Sequence, residues 1–190
     1  ANADQLDTDS DGLGNACDTD DDGDGVNDVD DVYPLDATLW SMKIEDALAG
    51  IVDDNLRACV AEATSGKQQV SEVTELKCER RGGSIFDTNQ ITDISGLSGL
   101  TNLIFLDLFG NQITDISGLS GLTNLTDLFL DNNQITDISG LSGLTNLVYL
   151  DLSYNRISDF SPIADLVPNL TDGYFNDNQF IDSDADGVAD

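Results

Sequence analysis

Asp7, Asp9 and Asp11 alternate along the chain, Gly12 follows, and Asn15 and Asp18 complete the series. Numbered from Asp7, side-chain oxygens fall at positions 1, 3, 5, 9 and 12, with glycine at 6 and the Leu13 carbonyl at 7. Oxygen donors at this spacing can close around one hard cation, because glycine permits the sharp turn between the two halves of the loop. Calcium suits such a set better than magnesium, which resists dehydration and demands a tighter octahedron. A second copy starts 13 residues later with Asp20, Asp22, Asp24, Gly25, the Val26 carbonyl, Asp28 and Asp31. A third opens with Asp182, Asp184, Asp186, Gly187, the Val188 carbonyl and Asp190, short of position 12. The competing reading is an acidic, unstructured linker, but random acidity would not keep glycine at the same position three times.

The charge distribution agrees with specialised ends. The 190 residues carry 37 Asp+Glu against 7 Lys+Arg, a formal charge of −30. Residues 1–36 contain 13 Asp and no base, residues 37–86 are nearly balanced, and residues 87–190 contain 16 acids with Arg156 as their single base. This excludes electrostatic capture of nucleic acid or of an anionic membrane face. The chain has no His, which removes imidazole catalysis and His–zinc chemistry. No run reaches the 18 or so apolar residues of a membrane span, and no basic-then-apolar leader is visible.

No amphipathic helix flanks the acidic loops, which argues against a helix–loop–helix sensor. The stretch "DQLDTDSDGLGNACDTDDDGDGVNDVDD" instead resembles thrombospondin type 3 repeats. That resemblance implies loops threaded along calcium ions with almost no apolar core. It also implies a disulfide for Cys17 whose partner would lie upstream of Ala1, so the chain is expected to be an excerpt of a longer protein.

Pro34 marks a boundary. Beyond it, Ile44, Ala47, Leu48, Ile51, Val52, Leu56, Cys59, Val60 and Ala63 recur at helical spacing, with a break expected near Gly50 or Asp53. This helical stripe is expected to bury one end of the domain formed by the rest of the chain, as a cap. Val73, Leu76 and Cys78 read as the inward positions of a first strand, where Cys59 and Cys78 either form a disulfide or remain two buried thiols.

From Asn89 the text "NQITDISGLSGLTNL" occurs unchanged at 89–103, 111–125 and 133–147, a period of 22 residues. A diverged fourth copy reaches its next asparagine one residue late, at Asn178. Identical units at this period must stack. Each contains L-x-x-L-x-L-x-x-N, as in Leu103, Leu106, Leu108 and Asn111, and the pattern resembles bacterial, internalin-like leucine-rich repeats. The resemblance implies a solenoid with short parallel strands on its concave side and 3₁₀ or extended segments on its convex side. Leucines and isoleucines would fill a narrow continuous core, and Asn111, Asn133, Asn155 and Asn178 would turn inward to satisfy backbone groups. Leu76 and Leu106 lie 30 residues apart, so "RRGGSIFD" reads as an insertion in the first turn. Gly173 takes the place of a core leucine, and a weak last strand is expected.

Alternation along each strand assigns an outward face. It holds Phe105, Asp107 and Phe109, then Asp127, Phe129 and Asp131, then Tyr149, Asp151, Ser153 and Tyr154. Aromatics among acids read either as a binding face for a protein or glycan with basic character, or as residues left by recent duplication. Asp93, Asp115, Asp137 and Asp159 form a second column that either binds cations or accepts local backbone N–H bonds. No acid is set apart as a catalytic pair would be, and no nucleophile elbow, phosphate loop or dinucleotide fingerprint occurs.

The expected organisation is therefore 1–36 calcium-binding repeats, 37–72 helical cap, 73–180 leucine-rich repeat stack and 181–190 the start of a further calcium repeat. The expected function is non-catalytic, extracellular adhesion or binding by a monomer that uses Ca²⁺ and contacts neither nucleic acid nor the bilayer. The rival is a purely structural, calcium-stiffened stalk.

Overall fold

The computed structural model describes residues 6–23, 27–29, 34–35, 43–79 and 90–178. Two helices precede the strands, α1 (Ile44–Gly50) and α2 (Asp54–Ala63). The break between them is where the sequence places it, and Asp53 causes it. Its Oδ1 accepts the backbone N–H groups of Asn55 and Leu56, supplying the N-cap that starts α2 in a new direction. Val52 falls within the break and is 74% exposed, so it does not belong to the buried stripe to which its spacing assigns it.

Five three-residue strands come next: β1 (Glu75–Lys77), β2 (Phe105–Asp107), β3 (Asp127–Phe129), β4 (Tyr149–Asp151) and β5 (Asp172–Tyr174). They form one parallel sheet in sequence order. Its register pairs Leu76, Leu106, Leu128, Leu150 and Gly173 in a line. The return path of each turn is a short 3₁₀ segment, at Ser95–Gly99, Ser117–Leu119, Ser139–Leu141 and Ser161–Ile163. β1 pairs directly with β2 although Leu76 and Leu106 are 30 residues apart, and the proposed insertion at 80–87 lies outside the described residues.

The repeated leucines and isoleucines between these two sides are fully buried, forming a continuous ribbon from Ile44 to Leu166. Val73, Leu76 and Cys78 are all inside, as the alternation requires. Cys59 on α2 is joined to Cys78 after β1 by a disulfide, with Cα atoms 5.7 Å apart. At the far end, a Cβ on Gly173 would lie 2.9 Å from the Phe175 ring. Phe175 thus fills the room a leucine occupies elsewhere and meets Phe160 edge to face. The strand is formed, but all three of its residues are exposed.

Candidate binding face and metal loop

The asparagine expected to turn inward does so in every turn. Asn133 Oδ1 accepts the N–H of Ile113 at 3.1 Å, and its Nδ2 donates to the carbonyls of Leu108 and Leu130 at 3.0 Å each. Asn111, Asn155 and Asn178 repeat this pattern one coil apart. Each amide bridges consecutive coils and sets strand spacing where water has no access. A second asparagine ladder recurs with the same period but lies outside the L-x-x-L-x-L-x-x-N pattern: Asn102, Asn124 and Asn146 donate to the carbonyls of Ser71, Thr101 and Thr123.

Spacing thus fixed, the sheet presents two outward columns. One runs Glu75, Phe105, Asp127, Tyr149, Asp172, and the other Lys77, Asp107, Phe129, Asp151, Tyr174. Aromatics and acids alternate in both, out of phase, so the rings zigzag across the strands. Phe105 and Phe129 are 5.3 Å apart between centroids, Phe129 and Tyr149 4.5 Å, and Tyr149 and Tyr174 5.6 Å. Lys77 ends the row, its Nζ 4.9 Å from the Phe105 centroid and 3.3 Å from Glu75. Desolvation, then the nearby Asp151, raises the Tyr149 hydroxyl pKa above its ordinary value, so the phenol stays protonated and able to donate.

The structure gathers most but not all of the expected face. Phe105, Asp127, Phe129, Tyr149 and Asp151 lie on it, and Asp107 lies beneath, 2% exposed. Phe109, Asp131 and Ser153 continue the strands beyond their ends, where Phe109 stands outside the ring row and the Ser153 hydroxyl turns to Asp151. Tyr154 is a correction. It occupies the left-handed turn after β4, φ 54°, equivalent to Gly110 and Asn132, and its hydroxyl bonds Asp177. Tyr174 and Asp172 were missed. The signal was the late Asn178, which shifts the last strand by one residue and brings both into the columns.

On the convex side, Asp93, Asp115, Asp137 and Asp159 each accept the N–H two residues on, from Ser95, Ser117, Ser139 and Ser161, at 2.8 Å. Local capping is their role, and those bonds hold Asp115 and Asp159 below the usual carboxylate range.

In the acidic arm, the 13-residue repeat is visible as repeated bonds. Asn15 N–H donates to the Leu6 carbonyl and its Oδ1 accepts from Thr8 N–H; Asp28 does the same with Thr19 and Asp21. Carboxylate oxygens of Asp7, Asp9 and Asp11 lie within 4.8 Å of one another. Gly12 adopts φ 99°, the turn its position demands. Asp7 Oδ1 and Asp21 Oδ1 are buried atoms with no hydrogen bond. Desolvation, then the charges of Asp28 and Asp18, push the Asp21 pKa up. An all-oxygen set with buried, unsatisfied carboxylate oxygens fits a hard cation. Asn15 and Asp18 are instead turned to backbone neighbours, with Asp18 Oδ1 on the N–H groups of Thr19 and Asp20. Of the second loop, Asp20, Asp22 and Asp28 are described; Asp24, Val26 and Asp31, like Asp182, Asp184, Asp186, Val188 and Asp190, lie outside the described residues.

Residues 85–121, 101–143 and 123–166 each match the family described as Leucine Rich repeats (2 copies). Residues 85–166 are leucine-rich repeats. Comparison with curated proteins gave no match. Among solved structures the repeat stack is similar to an internalin (inlF) from Listeria monocytogenes, at 33% identity over 75% of this chain and 41% of that one, TM-score 0.62. It is also similar to the functional domain of InlJ from the same organism, at 31% identity over 69% of this chain and 27% of that one, TM-score 0.53. The chain therefore spans less than half the length of either neighbour. Leucine-rich repeats of this kind are typically protein-interaction modules without catalytic activity. Among the described residues, no helix is long and apolar enough to cross a membrane.

Proposed function

We propose that this chain is a non-catalytic binding module of a secreted or cell-surface protein, holding a protein or glycan on its concave sheet. The observation that carries the reading is the row Phe105, Phe129, Tyr149 and Tyr174 on the open face of the sheet. Solvent-facing strands have no need of large apolar rings, whereas partner surfaces use them as anchors. The acidic arm binds Ca²⁺ through Asp7, Asp9 and Asp11 and their counterparts 13 residues on, in the manner of thrombospondin type 3 repeats, and serves as a stiff spacer. Extracellular placement is supported by the Cys59–Cys78 disulfide and by exposed loops suited to millimolar calcium.

The test is a pull-down with the whole chain immobilised in calcium, comparing the native sequence with a Phe129→Ala, Tyr149→Ala double variant. A partner retained by the first and lost by the second is the expected result. Equal retention by both would remove the concave face from the function.

A further inference from the structure

We propose that the ligand of this face is an extended, Lys/Arg-rich protein segment laid across the strands. The proposal rests on the concave-face function and specifies the chemistry of its partner. No Lys or Arg occurs between Arg81 and Arg156, and Arg156 lies after the inward asparagine rather than on the outward columns. The face therefore carries acid without base over β2 to β5. The register places an accessible carboxylate beside each inner ring: Asp151 lies next to Phe129, and Asp127 and Asp172 flank Tyr149. Each ring is thus about one strand spacing, roughly 4.8 Å, from an accessible acid.

The chain itself shows how a base sits on this pattern. Lys77 lies at the row's first end, with its ammonium held jointly by the Phe105 ring and the Glu75 carboxylate. Along the rest of the row the same pairing of ring and acid recurs with no base of its own on the outward columns. A partner's aliphatic stems would lie on the rings, with their charged heads reaching the flanking carboxylates. The pattern recurs every second strand, about 10 Å, close to the ~9.3 Å turn of an extended polyproline-type segment. Bases at every third residue would match it. A neutral glycan would use the rings but leave the ordered alternation of charge unused.

The probe is a twelve-residue peptide with Arg at every third position, titrated against the whole chain in calcium by fluorescence anisotropy at two salt concentrations. Its twin carries citrulline in place of Arg, and a neutral β-linked glucose oligomer serves as the glycan arm. Expected are binding of the Arg peptide, about tenfold weakening with citrulline, and about tenfold weakening in an Asp127→Asn, Asp151→Asn variant. An Asp115→Asn, Asp137→Asn variant, with the same charge change on the convex side, should bind as the native chain does. Equal loss in both variants would reduce the effect to diffuse charge and overturn the proposal, as would no binding of the Arg peptide. Binding of the glucose oligomer alone, abolished by Phe129→Ala, would overturn the basic partner while leaving the concave face intact.

Discussion

Gly118 and Gly121 stand three residues apart in one repeat and are indistinguishable as letters. Their surroundings differ. A Cβ on Gly118 would come within 2.9 Å of the Ile94 carbonyl oxygen and 3.0 Å of Ser95 Cα, both backbone of the preceding coil, whereas one on Gly121 would meet nothing within 4 Å. Gly140 repeats the close approach against the Ile116 carbonyl oxygen. The first glycine of the second and third SGLSGL therefore sets how closely successive coils stack, while Gly96 makes the same close approach to Ile51 before α2. Gly118→Ala should lower stability by about 1–3 kcal/mol, since backbone cannot move aside as a side chain can. Gly121→Ala should be neutral or stabilising by about 0.4–1 kcal/mol, through the unfolded state. Urea unfolding of both variants checks this, and equal midpoints would refute it. The inward leucines and asparagines were legible because burial and period coincide at those positions. The glycines were not, because a period says that a position recurs and not which neighbour it touches. The expected face includes Tyr154 although it breaks the alternation of Tyr149, Asp151 and Ser153, and it lies in the left-handed turn that follows the strand.

Besides the shared apolar core, the disulfide and one carboxylate tie the cap to the repeats. Besides capping α2 with Oδ1, Asp53 accepts with Oδ2 the N–H of Thr92 at 2.9 Å, the Thr92 hydroxyl at 3.0 Å and the N–H of Asp93 at 3.3 Å. Desolvation works to raise its pKa, but bonds from Thr92, Leu56 and Asp93 outweigh it and hold the carboxyl below its ordinary value of 3.8. A group lowered on folding contributes stability that is present above the unfolded value and lost as pH falls through the folded one. Asp53→Asn keeps the shape and removes the charge, so it should cost about 1 kcal/mol near neutrality. The gap to the native chain should close as pH falls below 3.8 toward the lower folded value. Urea midpoints of the two proteins at about pH 6 and pH 2 test the sign; a gap of the same size at both would assign the loss to shape alone. The helical stripe revealed that a cap exists, and even where it breaks. It could not reveal that Asp53 reaches the first repeat, because that contact joins residues 39 apart whose positions only the folded coil brings together.

Two kinds of cohesion meet in one chain. From Ile44 to Leu166 a buried apolar ribbon holds the coils together without help from solutes. In the arm, by contrast, Leu6, Leu13, Val29 and Leu35 are all half exposed or more, so burial of oil contributes little there. Its 13 aspartates in residues 1–36 have no base among them. Their mutual repulsion opposes the close approach of Asp7, Asp9 and Asp11, and a divalent ion would both remove it and supply folding free energy. Calcium and the arm's order are therefore expected to be linked, while the repeat stack is indifferent to both. Adding millimolar calcium to metal-free protein should release or absorb measurable heat in a calorimeter, more than magnesium does. Removing calcium should speed proteolysis within residues 6–35 and leave the melting of the stack in place. Asp9→Asn with Asp11→Asn should lower the number of bound ions without shifting that melting transition. If calcium instead raised the stability of stack and arm together, the ion would have to be acting through the capping residues or the coils. The division of the molecule into an ion-held arm and an oil-held stack would then be wrong.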